Sequence, residues 1–330
     1  MERLTVLEYV RDPEGVWNLP PQLLADLRAG FPEATFHSPR DRSEVERVLP
    51  ETDVVFGWAV RASNFALGAR LKWIHVSAAG VAALLFPELI ESEVMVTNGR
   101  GTHALAMAEH TLGVMLAFTR RLHLARDAQA AREGVQNRLW TEAPSFGQLS
   151  GTTLGLVGLG SVGTAIAVRA RALGVRVLAV RKHPALDPEP ADAQWGIGQL
   201  DALVAASDWL VLAAPLTPET RGFMDAERLA RMKPGAVLIN LGRGSLVDEP
   251  ALIEALREGR IAGAALDVFE TEPLPHSSPL WSMPNVIATP HISGLGPRYW
   301  ERSADLFARN LQAFRVGRPL ENVVDKRAGY

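Results

Sequence analysis

Three short segments place a charged or titratable side chain where an apolar run ends: Asn240-Leu241-Gly242-Arg243-Gly244, Leu266-Asp267-Val268-Phe269-Glu270-Thr271-Glu272-Pro273 and Thr289-Pro290-His291-Ile292-Ser293-Gly294. A histidine, with an ordinary pKa near about 6.5, can give and take a proton around neutral pH. A carboxylate beside it favours the imidazolium and orients the ring. An arginine offers a permanently charged fork that matches a ligand carboxylate better than a lysine's point charge does. Taken singly, each residue also has a bland reading. Glu272 before Pro273 suits an exposed loop, Arg243 between two glycines suits a turn, and a lone His291 suits a satisfied core position.

A fourth segment, Gly158-Leu159-Gly160-Ser161-Val162-Gly163, has G-x-G-x-x-G spacing directly after the apolar run 153–157 and opens a helical pattern. That context turns a weak motif into a dinucleotide-binding signal. Gly158 permits the tight turn, Gly160 lets backbone approach a pyrophosphate, and Gly163 allows close helix packing, while the helix start at Ser161 and Val162 attracts phosphate charge. About 20 residues on, where an acid would hold the ribose hydroxyls of NAD, the chain has Arg181-Lys182. An acid would repel the 2′-phosphate of NADP, whereas these cations pair with it. NADP(H) is therefore the favoured cofactor, and NAD(H) stays possible if the pair is merely solvated. Asp187, the next acid, lies beyond Pro184.

The elements that must position these groups alternate. Strand-like runs at 4–9, 53–56 and 73–76, with a helix-like stretch at 21–29 and a further element at 64–69, make a first α/β unit. A helical pattern without proline follows from Gly101 to about Ala131, with Leu105, Ala108, Leu112, Met115, Leu116 and Leu122 in register, and reads as one long helix. Arg120, Arg121, Arg126 and Arg132 gather toward its end and read as a solvated face suited to the helix dipole. After a looser stretch at 133–150 come strand 153–158, helix 162–173, strand 175–180, helix 200–206, strand 209–213, strand 236–241, a helix capped by Asp248, and strand 263–268. Helical crossovers between strands favour parallel sheets. Proline-rich loops occupy 184–190 and 273–284, and an amphipathic helix closes the chain at 299–316.

Composition bounds the function classes. At 330 residues two domains are expected, and 47% hydrophobic with 22% charged residues is ordinary for a globular protein, which argues against disorder. A net charge of -3 without a basic stripe gives no footprint for nucleic acid or an anionic membrane. The absence of cysteine removes disulfides, thiolate metal sites and cysteine nucleophiles and fits a reducing compartment. Residues 1–12 interleave Glu2, Arg3, Glu8 and Arg11, unlike a secretory signal, and 104–118 is interrupted by Glu109 and His110, short of a membrane span. A cytoplasmic protein is expected. His103 and His110 lack the spacing of a metal site and read as structural.

With the glycine fingerprint upstream, the three polar segments resemble the D-isomer-specific 2-hydroxyacid dehydrogenase family over nearly the whole chain. The resemblance implies Arg243, Glu272 and His291 as the catalytic set, with Arg243 holding the substrate carboxylate and His291 giving a proton to the carbonyl. It implies that Ser77-Ala78-Ala79-Gly80 binds the substrate carboxylate through backbone amides. It also implies cofactor contacts at Ala214, Pro215, Leu241, Gly242, Asp267 and Ser293. The implied fold is two doubly wound parallel-sheet α/β domains, a Rossmann cofactor domain at 100–289 inserted into a flavodoxin-like substrate domain formed by 1–99 and 290–330. The active cleft would lie between them and close over the substrate.

Arg181-Lys182 and the 19-residue interval from Glu272 to His291 lean toward the glyoxylate/hydroxypyruvate reductase branch. Trp58, Trp281 and Trp300 are candidates for narrowing the pocket toward small acids. The implied partners are a small 2-oxo or 2-hydroxy acid and a second copy of the chain, as a homodimer. The rival is an NAD(P)H-sensing, corepressor-like binding protein on the same fold.

Overall fold

The computed structural model describes residues 3–11, 17–141, 147–185, 187 and 189–329. Part of the expected N-terminal segment, part of the looser stretch (142–146) and positions 186 and 188 of the proline-rich loop lie outside the described residues. The chain forms two compact units, Met1–Thr102 with Gly296–Tyr330, and His103–Leu295.

The first unit holds five parallel strands: β1 (Thr5–Tyr9), β2 (Thr35–His37), β3 (Val54–Gly57), β4 (Trp73–Val76) and β5 (Met95–Asn98). Their order, β2-β1-β3-β4-β5, is the flavodoxin-like doubly wound arrangement. β3 and β4 are buried at every position because helices and loops cover both faces of the sheet, so β3 reads as an unbroken apolar run and β4 departs from one only at His75. The C-terminal helix Tyr299–Arg315 lays Ala304, Phe307 and Leu311 on one face with Val6, Phe56 and Trp73. The Phe307 ring stacks 4.3 Å from Phe56 and 5.4 Å from Trp73. That packing returns the end of the chain to the first sheet.

Inside this core, Trp73 Nε1 donates to Thr97 Oγ1 at 2.8 Å, and the His75 Nδ1 atom lies 2.7 Å from the same oxygen. Because indole can only donate, Thr97 is free to pass its own hydrogen to His75. Complete burial pushes His75 down to about 3, so it is neutral in the folded protein.

The second unit holds seven parallel strands: β6 (Thr153–Val157), β7 (Arg176–Val180), β8 (Ala193–Trp195), β9 (Trp209–Leu212), β10 (Val237–Asn240), β11 (Gly263–Leu266) and β12 (Val286–Ala288). Their order is β12-β11-β10-β9-β6-β7-β8. The order reverses between β6 and β9, which puts the glycine turn after β6 at the topological switch point where such sheets bind ligands.

Two expectations are corrected. The long helix from Gly101 is two helices, Ala104–Thr119 and Leu122–Ala131, separated by Arg121 at φ 54°. A single left-handed residue turns the axis without disturbing the apolar spacing on either side, so periodicity does not reveal it. Arg121 is also 5% exposed, unlike its solvated neighbours Arg120, Arg126 and Arg132. The second unit runs from His103 to Leu295. The segment 289–295 stays with the second unit because Asp267 binds it, as described next.

Candidate active site

The glycine turn is built as a phosphate cradle must be. Gly158 adopts φ +102°, and a Cβ there would meet the Ala213 carbonyl oxygen at 2.8 Å, so only glycine fits. A Cβ on Gly163 would lie 2.2 Å from the Gly158 oxygen, the close strand-to-helix packing the fingerprint requires. Gly160 faces open space. The helix Ser161–Ala172 begins at Gly160 with no side-chain cap, so its first-turn amides are left for a ligand. Ala214 and Pro215 follow β9 beside this turn, and a Cβ on Gly242 would lie 2.9 Å from the Ala214 oxygen. This donor set fits the pyrophosphate of a nicotinamide dinucleotide.

Arg181 leaves β7 half-buried, with its amide donating to the Trp195 carbonyl at 3.0 Å, and Lys182 follows, exposed. Glu219, which the sequence reading did not weigh, is held below the usual carboxylate range, first by the Thr217 hydroxyl at 2.7 Å and also by the charge of Lys182.

Arg243, Glu272 and His291 follow β10, β11 and β12, which are adjacent in the sheet, so all three emerge at the carboxyl ends of neighbouring strands. His291 Nδ1 lies 2.7 Å from Glu272 Oε2. The other oxygen of Glu272 accepts the Phe269 amide at 3.2 Å, which fixes the carboxylate plane. Arg243 is exposed, with Nη1 donating to the Gly242 carbonyl at 2.7 Å. Asn240 ties the turn beneath it through the Arg243 carbonyl at 2.9 Å and the Gly242 amide at 3.1 Å. A Cβ on Gly244 would lie 1.9 Å from the Phe269 carbonyl carbon, so the arginine turn packs directly on the backbone leading to Glu272. Among the described residues, the Arg243 guanidinium makes no hydrogen bond to Glu272 or His291.

His291 sits at φ 55°, a costly conformation for a non-glycine residue. Asp267 supplies the restraint. Its carboxylate, 1% exposed, accepts the Thr289 hydroxyl at 2.6 Å and the Ile292 and Ser293 amides at 2.9 Å each. Its backbone carbonyl accepts the His291 amide at 2.9 Å. Sequence reasoning missed this bracing role of Asp267, and the two histidines it read as structural stand behind the same loop. His103 Nδ1 lies 3.0 Å from the Gly294 carbonyl, and His110 Nε2 lies 3.5 Å from Thr289 Oγ1. Burial lowers the pKa of His110.

In the first unit, Ser77 is fully buried, Ala78 and Gly80 are half-buried and Ala79 is exposed. Of the tryptophans, Trp58 is half-buried against the first core and Trp300 packs on Trp17 at 5.1 Å. Trp281 is 56% exposed, its indole donating to the Pro275 carbonyl.

Known proteins share this architecture. Residues 112–293 match the family model described as D-isomer specific 2-hydroxyacid dehydrogenase, NAD binding domain. A glyoxylate reductase from Thermofilum pendens is 37% identical over 292 residues, 87% of this chain and 86% of that protein. A D-isomer specific 2-hydroxyacid dehydrogenase from Xanthobacter autotrophicus, solved with NADPH and MES, superposes with a TM-score of 0.82 at 32% identity, covering 99% of both chains. An NADPH-dependent glyoxylate/hydroxypyruvate reductase from Sinorhizobium meliloti, solved with NADP and sulfate, gives a TM-score of 0.82 at 28% identity, covering 99% of this chain and 100% of that one. With matches that span both sheets and a family model that covers more than half of its length, the chain belongs to the D-isomer-specific 2-hydroxyacid dehydrogenase family.

Proposed function

We propose that the protein reduces a small 2-oxo acid, glyoxylate or hydroxypyruvate, to the 2-hydroxy acid, the D isomer where the product is chiral, with NADPH as reductant. The observation that carries this reading is the His291–Glu272 contact at 2.7 Å, on strands adjacent to the one that presents Arg243. Glu272 holds the Nδ1 hydrogen of His291, orients the ring and leaves Nε2 as the atom that gives a proton to the carbonyl oxygen. Arg243 binds the substrate carboxylate with its fork and polarises the carbonyl. Bound at the glycine turn, NADPH supplies the hydride.

The cofactor choice is supported by Arg181-Lys182 at the end of β7 and by the NADPH and NADP complexes of the Xanthobacter and Sinorhizobium proteins. The substrate choice is supported by the names of the glyoxylate and hydroxypyruvate reductases among its relatives. The same reading makes the protein a homodimer joined through the cofactor domains, with the exposed Leu105 and Leu116 of the helix Ala104–Thr119 in the interface.

The test is the product itself. Hydroxypyruvate and NADPH are incubated with the protein and the glycerate formed is resolved by chiral chromatography. D-glycerate is expected, L-glycerate would reject the assigned stereochemistry, and no glycerate above background would reject hydroxypyruvate as a substrate.

A further inference from the structure

The loop Ser77-Ala78-Ala79-Gly80 follows β4, and each of its first three carbonyl oxygens is held by a donor elsewhere in the first unit. Ser77 O accepts the Tyr299 hydroxyl at 2.9 Å, Ala78 O accepts the Gly99 amide at 2.9 Å, and Ala79 O accepts Asn98 Nδ2 at 2.7 Å. In a planar trans peptide the carbonyl and the following N–H point in opposite directions. Each anchored oxygen therefore turns the next amide, that of Ala78, Ala79 or Gly80, away from its anchor. Among the described residues none of these three amides has an acceptor. Successive outward amides are what an anion-binding turn requires.

We propose that Tyr299 and Asn98 are positioning residues that set this row of amides for the carboxylate of the 2-oxo acid, an assignment that rests on the activity proposed above. Tyr299 suits the task. It is 4% exposed at the start of the C-terminal helix, its ring held 4.8 Å from both Trp17 and Trp300. Burial pushes the phenol up to about 12, so the hydroxyl remains a donor through mildly alkaline pH. Its acceptor belongs to a residue with no solvent exposure. Without the hydroxyl, Ser77 O is either an unpaired buried acceptor or turns outward, and turning that peptide carries the Ala78 N–H inward. On the other side, a Cβ on Gly99 would stand 1.8 Å from Ser77 O, so the end of β5 packs on the loop with no side chain between.

The test compares wild type with Tyr299→Phe, which keeps the ring, and Asn98→Ala. Glyoxylate and its methyl ester, which lacks the carboxylate charge, are reduced with NADPH, and oxalate is titrated calorimetrically into the NADP-loaded protein. Each variant is expected to raise KM for glyoxylate and Kd for oxalate about tenfold, with kcat within about threefold and the ester unaffected. Unchanged KM and oxalate Kd in both variants would overturn the proposal, as would equal losses on acid and ester, the mark of general loosening. If wild type reduces neither compound, the activity reading fails, and oxalate binding alone judges the loop: affinity lost in the variants upholds its anion role, and no affinity in wild type refutes it.

Discussion

Asp267 and His291 are joined backbone to backbone at 2.9 Å, and the same Asp267 carboxylate holds the residues on both sides of His291. The left-handed backbone of His291 is thus over-determined by one buried acid, and the short contact to Glu272 follows from it. Asp267→Ala should orphan the Ile292 and Ser293 amides at a cost of about 1–3 kcal/mol each where they stay buried. A lowered urea midpoint together with a large fall in kcat is expected. Wild-type kcat in a folded Asp267→Ala protein would show that His291 does not depend on this restraint.

His291→Ala removes the proton donor and should lower kcat by about 10²–10⁴-fold, the usual worth of a positioned acid or base. NADPH binding, followed by the fluorescence of the reduced nicotinamide, should be spared, because the glycine turn is built from β6, β9 and the helix Ser161–Ala172 without any contribution from His291. Loss of cofactor affinity in this variant would place His291 in binding rather than in proton transfer.

Arg181→Asp exchanges a cation for an acid at the end of β7. The NADPH to NADH preference in kcat/KM should fall by about 10–100-fold, from the loss of one or two charge-assisted hydrogen bonds and the gain of repulsion. A preference that does not move would leave Lys182 alone to recognise the 2′-phosphate.

His75 makes stability depend on acidity. Its folded value of about 3 lies below the ordinary 6.5, so the unfolded chain binds the extra proton between those limits. Stability therefore rises with pH across that window and falls as the protein is acidified from about 6.5 toward 3, by up to about 1.4 kcal/mol per pH unit from this group. His75→Phe should flatten that slope in urea titrations, and an unchanged slope would assign it to other groups.

What the sequence made legible was local. Gly158 and Gly163 announce themselves because backbone geometry at a tight turn admits nothing else, and Arg243, Glu272 and His291 each end an apolar strand within a short motif. The bracing of the site is not local: His103 reaches Gly294 across 191 positions and His110 reaches Thr289 across 179, and no spacing rule encodes such contacts. Tyr299 meets Ser77 across 222 positions in the same way. The three-residue strands Thr35–His37, Ala193–Trp195 and Val286–Ala288 escaped because they are only half-buried and too short to show alternation. Arg121 broke a helix whose apolar register ran on undisturbed.

The most direct test of the central claim is steady-state oxidation of NADPH and of NADH by the purified protein, with glyoxylate, hydroxypyruvate, pyruvate and a bulkier 2-oxo acid compared by kcat/KM. The account predicts fast NADPH oxidation with the two small acids, slower turnover of the larger ones, and weaker use of NADH. Tight NADPH binding without turnover of any of the four acids would contradict it and point to a protein that senses the cofactor.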